Sequence, residues 1–130
     1  MANIPEELKY SKDHEWVLVE GDVATIGITD YAQESLGDVV FVELPNEGDN
    51  FNTHDAFGSV ESVKAVSEIF TPVGGEVVST NEDLNDAPEV VNDDPYGDAW
   101  MVKIKMDNSG EADGLMSAEE YEEYLKSEED

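Results

Sequence analysis

The chain reads as a mainly β protein, a flattened β-barrel or sandwich with a short helix near residues 30–36 and a C-terminal helix near 117–126. Three observations predict this. Short apolar runs bounded by Gly, Asp and Asn recur through the first hundred residues, the spacing expected of packed antiparallel strands. A late strand, Ala99-Trp100-Met101-Val102-Lys103-Ile104-Lys105-Met106, alternates apolar even positions with charged odd ones from Trp100 onward, Met101 excepted. Two segments break this rhythm with helix start and stop signals. At 130 residues with 39 % apolar content, one domain spanning 1–130 can bury a modest core, and two cannot.

The elements follow in order. Trp16-Val17-Leu18-Val19 leads through Glu20-Gly21-Asp22 into Val23-Ala24-Thr25-Ile26-Gly27-Ile28. Gly-Asp between two apolar runs is hairpin chemistry, because a tight turn needs a residue that tolerates positive φ. Asp30-Tyr31-Ala32-Gln33-Glu34-Ser35-Leu36 begins with a capping residue, has Gln33 three places on and stops at Gly37. That predicts a short helix, although a turn would explain so brief a segment too. Gly37-Asp38-Val39-Val40-Phe41-Val42-Glu43-Leu44 is a third strand, ended by Pro45-Asn46-Glu47-Gly48-Asp49. Gly75-Glu76-Val77-Val78 repeats that strand's opening and hints at internal duplication. Near the end, Ser117 and Glu120 form a capping box, Met116 and Tyr121 suit a hydrophobic staple, and Tyr121, Tyr124 and Leu125 share one face. The acidic tail Ser127-Glu128-Glu129-Asp130 opposes the helix dipole and predicts fraying there.

The charge balance restricts function. Thirty-three acids stand against six lysines and no arginine, a net charge of −27. Nucleic acid and anionic membranes need basic patches, so neither is an expected partner. A basic docking face, a saline habitat or simple solubility would each account for the acidity. There is no cysteine, which removes disulfides and thiolate metal sites. With no long apolar run and no signal-peptide pattern at Met1–Glu7, a cytoplasmic location is expected.

Catalytic machinery is hard to find. The two histidines, His14 and His54, sit in no nucleophile–base context. Two acidic loops invite a calcium reading and fail it. In Asn92-Asp93-Asp94-Pro95-Tyr96-Gly97, Tyr96 takes a ligand position and Lys103 stands where the closing Glu belongs. In Asp107-Asn108-Ser109-Gly110-Glu111-Ala112, Ala112 replaces the required Gly.

The most unusual local feature is Glu61-Ser62-Val63-Lys64-Ala65-Val66-Ser67-Glu68, a near-palindrome about the Lys64–Ala65 bond. Folded as a hairpin with Lys64-Ala65 in the turn, it would pair Val63 with Val66, Ser62 with Ser67 and Glu61 with Glu68. Like charges directly opposite cost stability, so the two glutamates would splay or serve recognition. An ordinary turn lysine remains the simpler account of Lys64 on local chemistry. Yet neither Asn-Gly nor Asp-Gly, the usual driver of a tight hairpin, is present.

In its setting, this segment resembles the lipoylation site of glycine cleavage H proteins. Lipoyl domains of 2-oxo-acid dehydrogenases share an acid-x-x-Lys-Ala site, whereas biotin carriers flank their lysine with methionines, which this chain lacks. Further blocks resemble the H-protein family in order: Lys9-Tyr10-Ser11-Lys12-Asp13-His14-Glu15-Trp16, Ile26-Gly27-Ile28-Thr29-Asp30-Tyr31-Ala32-Gln33, residues 36–45, and Asn92-Asp93-Asp94-Pro95-Tyr96. The likeness covers roughly residues 7–106, with a C-terminal helix where the family has one. Departures are Ala99 where Gly is usual, Glu68 where many relatives have Asp, and the lack of arginine.

The resemblance implies a fold of the lipoyl-domain type and a non-catalytic carrier bearing lipoate in amide linkage on Lys64. It implies shuttling of the aminomethyl group of glycine from a pyridoxal-phosphate-dependent decarboxylating glycine dehydrogenase to a tetrahydrofolate-dependent aminomethyltransferase. Dihydrolipoamide dehydrogenase then reoxidises the dithiol, and lipoate-attaching enzymes load the lysine. A monomer is implied. A cationic, hydrolysable adduct calls for a sheltering carboxylate. By position that is Glu15, with Asp13, Ser67 and Glu68 as neighbours, although a solvated strand residue explains Glu15 equally well. His14 reads as a residue packed beside Trp16. Two rivals stand beside this reading: an H-like protein that passes lipoate to other enzymes, and an unlipoylated acidic interaction module on the same fold.

Overall fold

The computed structural model describes residues 4–129, with no account of the side chains of residues 109, 111, 128 and 129. Among the described residues, nine strands form two antiparallel sheets. The larger, in the order β1 (Lys9–Tyr10), β2 (Glu15–Glu20), β3 (Val23–Ile28), β9 (Val102–Met106), β8 (Gly75–Thr80) and β5 (Asn50–Phe51), faces a smaller sheet ordered β4 (Val39–Glu43), β6 (Ala56–Ser62) and β7 (Val66–Phe70). Between them lies a core that includes Val17, Ile26, Val42, Val60, Val77 and Ile104, none more than 1 % exposed. This is the mainly β sandwich that the strand spacing predicts.

The first hairpin forms as expected. Glu20 pairs with Val23 across Gly21-Asp22, and Gly21 takes φ 67°. The third strand is found at β4, but the late strand starts later than expected, at Val102. Ahead of it, Trp100 donates its amide to the Gly97 carbonyl in a turn, so the alternation of residues 100–106 overreads into the loop. Met101, the exception in the pattern, is 1 % exposed and belongs to the core. The Gly-acid-Val-Val repeat starts strands of different sheets, and its glycines do different work. Gly37 caps a helix at φ 81°, whereas Gly75, at φ 155°, admits the Lys105 carbonyl at a spot where a Cβ would collide with it. Strands β1 and β5 were not foreseen, because two residues carry no periodicity.

Helix α1 (Asp30–Leu36) has the predicted length, with one correction. Its N-cap is Thr29, whose hydroxyl accepts from the Ala32 amide at 3.2 Å, while Asp30 instead takes a 2.6 Å bond from the Gln33 side chain. Two single-turn helices, α2 (Asp83–Asp86) and α3 (Val90–Asp93), precede the last strand, and a 3₁₀ segment covers Ser109–Gly114. Helix α4 (Ala118–Glu129) opens on the predicted capping box: Ser117 N donates to Glu120 Oε1 at 2.9 Å, and Glu120 N donates to Ser117 Oγ at 3.2 Å. That pair also holds the Glu120 carboxyl below its ordinary range. The helix runs past the expected end at 126, supported by the i,i+4 contact of Lys126 with Glu122 at 3.6 Å; Asp130, last of the acidic tail expected to fray, lies outside the described residues.

Helix α4 docks through a second cluster. Tyr121 stacks on Tyr10 with ring centroids 4.7 Å apart, and Leu8, Trp16, Ala118 and Leu125 pack around them. Burial drives the Tyr10 and Tyr121 hydroxyls well above the ordinary tyrosine range. His14 packs against tyrosines of this group, which also holds Trp16. It adopts φ 69° ahead of β2, and its ring lies 4.7 Å from Tyr31 with Nδ1 2.9 Å from the Tyr121 hydroxyl. Trp16 Nε1 donates to the Pro95 carbonyl at 2.8 Å.

Candidate functional site around Lys64

Lys64 lies at the tip of the β6–β7 hairpin, but the register differs from the palindromic one. Glu61 pairs with Val66, Val60 with Ser67 and Ser59 with Glu68, so Val63 and Lys64 are the central residues. A two-residue slip keeps every side chain on its intended face, which a one-residue slip would not. It also removes the facing Glu61–Glu68 pair. Ser62 explains a tight turn without Asn-Gly: its hydroxyl accepts from the Ala65 amide at 3.1 Å and the Lys64 amide at 3.3 Å, and its own amide donates to the Ala65 carbonyl at 2.8 Å. A serine hydroxyl thus replaces the backbone bond that a glycine turn would make.

The tip leans on the end of α1. Val63 N donates to the Asp38 carbonyl at 3.0 Å, and the Lys64 stem crosses Gly37 so closely that a Cβ there would meet Lys64 Cε at 3.3 Å. Gly37 is held from below by Asn92. Asn92 Nδ2 donates to the Gly37 carbonyl at 2.8 Å and to Gln33 Oε1 at 3.0 Å, while Asn92 Oδ1 accepts from Val39 N at 2.8 Å. Asn92, the first residue of the acidic loop that lacks the calcium pattern, thus has a structural role here. Among the described residues no cluster of His, Asp and Glu could hold a metal ion.

Glu15 is not a solvated strand residue. It shares the inward face of β2 with Val17 and is 1 % exposed. Ser11 Oγ donates to its carboxylate at 2.6 Å, and the Phe70 amide of β7 is a second donor. Burial outweighs both and, with the nearby Asp13 charge, lifts the Glu15 carboxyl to about 7. Ser11 was missed from sequence, because nothing in Ser-x-x-x-Glu announces the loop that folds it back. The other expected neighbours divide. Asp13 is exposed, Ser67 is half-buried on the inner face of β7, and Glu68 is exposed beside Val66 on the outer face.

Two elements join Lys64 to Glu15. Helix α1 abuts Lys64 at Gly37, and at its other end Thr29 N donates to the His14 carbonyl at 3.0 Å beside the Glu15–Ile28 pair. Seven helical residues at 1.5 Å each span about 10 Å. Along β7, Val66 to Phe70 covers about 13 Å at 3.3 Å per residue. A lysine stem extended by an acyl chain has comparable reach.

Known proteins resemble this chain over nearly its whole length. Residues 8–128 match the family model described as Glycine cleavage H-protein. The chain is 59 % identical over 122 residues to a glycine cleavage system H protein of Staphylococcus carnosus (strain TM300), covering 94 % of this chain and 97 % of that one. It is 52 % identical over 128 residues to the same protein of Carboxydothermus hydrogenoformans, covering 98 % of both. The crystal structure of a glycine cleavage system H protein from Mycobacterium marinum superposes with a TM-score of 0.87 at 35 % identity, covering 95 % of this chain and 99 % of that one.

Proposed function

The chain belongs to the glycine cleavage H-protein family and is a carrier subunit of that system rather than a catalyst; from this premise we propose that Lys64 bears lipoate and that Glu15 shelters the loaded arm. The observation that carries the reading is the Lys64 tip itself, an exposed lysine on a turn braced by Ser62 with its stem laid across a glycine. An acyl amide on Nζ fits there, because the tip is exposed and Gly37 leaves room for the stem. When bound, the lipoyl disulfide supplies the sulfur that takes up the aminomethyl group of glycine and the dithiol that is later reoxidised.

The chain's own residues hold and present that arm. Ser62 fixes the turn, Asn92 fixes the glycine beneath the stem, and the hairpin gives reach toward successive enzymes. Glu15 is suited to a cationic load. With its carboxyl at about 7, a positive charge brought against it favours the ionised form, and the dry surroundings strengthen the attraction. Asp13 reinforces the negative potential from the surface, and Ser67 offers a hydroxyl on the inner face. Glu68, on the outer face, suits contact with a partner better than contact with the arm. The partners proposed are the decarboxylating glycine dehydrogenase, the aminomethyltransferase, dihydrolipoamide dehydrogenase and a lipoate-attaching enzyme.

Intact mass of protein from a lipoate-sufficient host tests the attachment. A lipoyl-sized increment is expected in the wild type and absent in Lys64→Arg; an unmodified wild type refutes the reading. For the shelter, Glu15→Ala should hasten decay of the aminomethylated protein in isolation, and unchanged decay removes Glu15 from the role.

A further inference from the structure

We infer that the outer face of the smaller sheet beside Lys64, built from Val40, Phe41, Val63 and Val66, is the docking surface for the enzyme that acylates Lys64. This rests on Lys64 being the attachment site. Six large hydrophobic side chains are exposed among the described residues, and these four, at 48, 49, 70 and 66 %, gather at one place. Register explains the gathering. Phe41 pairs with Glu61 and Glu61 with Val66, so the three stand side by side across β4, β6 and β7 and project the same way. An irregularity between Val39 and Phe41 breaks the alternation of β4, leaving Val40 and Phe41 both outward while Val39 and Val42 stay buried. Val63 extends the patch to the residue before Lys64.

Such clustering is costly on a chain whose surface is otherwise acidic, and exposed apolar patches with polar rims mark interaction sites. Here the rim is Asp38, Glu43 and Glu68, and Glu61 stands within the patch between Phe41 and Val66, all four acids exposed. The complementary surface is an apolar lip bordered by basic side chains.

Reach identifies which enzyme bears that lip. An enzyme that forms the amide must bring its reacting carbonyl to Nζ itself, one four-methylene stem from the backbone. Its surface must therefore cover Val63 and Val66. Enzymes that act on the end of a finished arm stand further off by the length of the acyl chain. In the step itself, the Lys64 amine attacks the carbonyl of an acyl adenylate formed with ATP. The C–N bond forms, the carbonyl–phosphate bond breaks, AMP leaves, and the amine's proton passes to solvent.

The test uses the full unmodified chain with a purified bacterial lipoate–protein ligase, ATP and lipoate, following the mass increment over time. Phe41→Thr with Val66→Thr keeps strand propensity while removing the apolar surface; Val63→Ser does so in the turn, should the double change fail to fold. The double variant and Val63→Ser should each lower kcat/KM at least tenfold, chiefly through KM, with unfolding midpoints near the wild type. The controls Val19→Ser and Val78→Ser, exposed elsewhere, should stay within twofold. Folded patch variants within twofold of the wild type would overturn the assignment, as would variants that are acylated normally yet fail only with later enzymes. A wild type never acylated at Lys64 would instead sink the attachment reading.

Discussion

Replacing Glu15 by glutamine should change how stability depends on pH more than it changes stability at any one pH. The folded carboxyl titrates at about 7 against an ordinary 4.5. Because the folded state holds its proton more tightly, stability from Glu15 is fully present below about pH 4.5 and is lost as pH rises through 7. The span between the two values, at about 1.4 kcal/mol per tenfold change in proton affinity, corresponds to about 3 kcal/mol. Burial causes it: at 1 % exposure the charged form has little water, and the Ser11 and Phe70 donors offset that only in part. Glutamine keeps the shape and an accepting oxygen while removing the titration. Urea unfolding at pH 5, 6, 7 and 8 at fixed salt gives the free energy for each protein. The variant should gain about 2.5 kcal/mol relative to the wild type between pH 5 and 8, the rest of the span falling below pH 5. A difference that stays constant across that range would refute the burial argument, and one that moves the other way would reverse its sign.

Gly27→Ala should destabilise by about 1–3 kcal/mol, because a Cβ there would lie 2.7–2.8 Å from the Trp16 indole; urea unfolding measures the cost, and a red-shifted Trp emission would report the displaced ring. Asn92→Ala should cost about 2–3 kcal/mol, since the Val39 amide and the Gly37 carbonyl both lose their partner; near-neutral stability would show that water replaces the side chain. Added KCl should raise the unfolding midpoint by screening the repulsion of a chain of net charge −27, and a midpoint that falls with salt would contradict this.

Much of the fold was legible because it is written in short-range chemistry. Gly21-Asp22 and the Ser117–Glu120 box each specify an element with few neighbours involved, and each was found where expected, while the alternation of the late run marked the last strand but placed its start too early. Lys64 was legible too, since its flanking residues and the blocks around them carry the family likeness. Register was not. The palindrome offered one pairing, and the Ser62 hydroxyl with the packing of Val60 and Ile69 selected another two residues away.

The sequence by itself therefore determined the β class, the first hairpin, the start of the C-terminal helix, the acidic surface and the lysine that the family likeness singles out. Only the tertiary structure decided what surrounds that lysine. Gly37 beneath its stem, Asn92 beneath Gly37 and the patch of Val40, Phe41, Val63 and Val66 come from segments far apart in the chain. Glu15 is the clearest case. A glutamate on a strand looks solvated until the second sheet closes over it, and the burial that raises its carboxyl to about 7 exists only once β7 packs against β2. Burial depends on what approaches from elsewhere, and a local pattern of residues does not encode that approach.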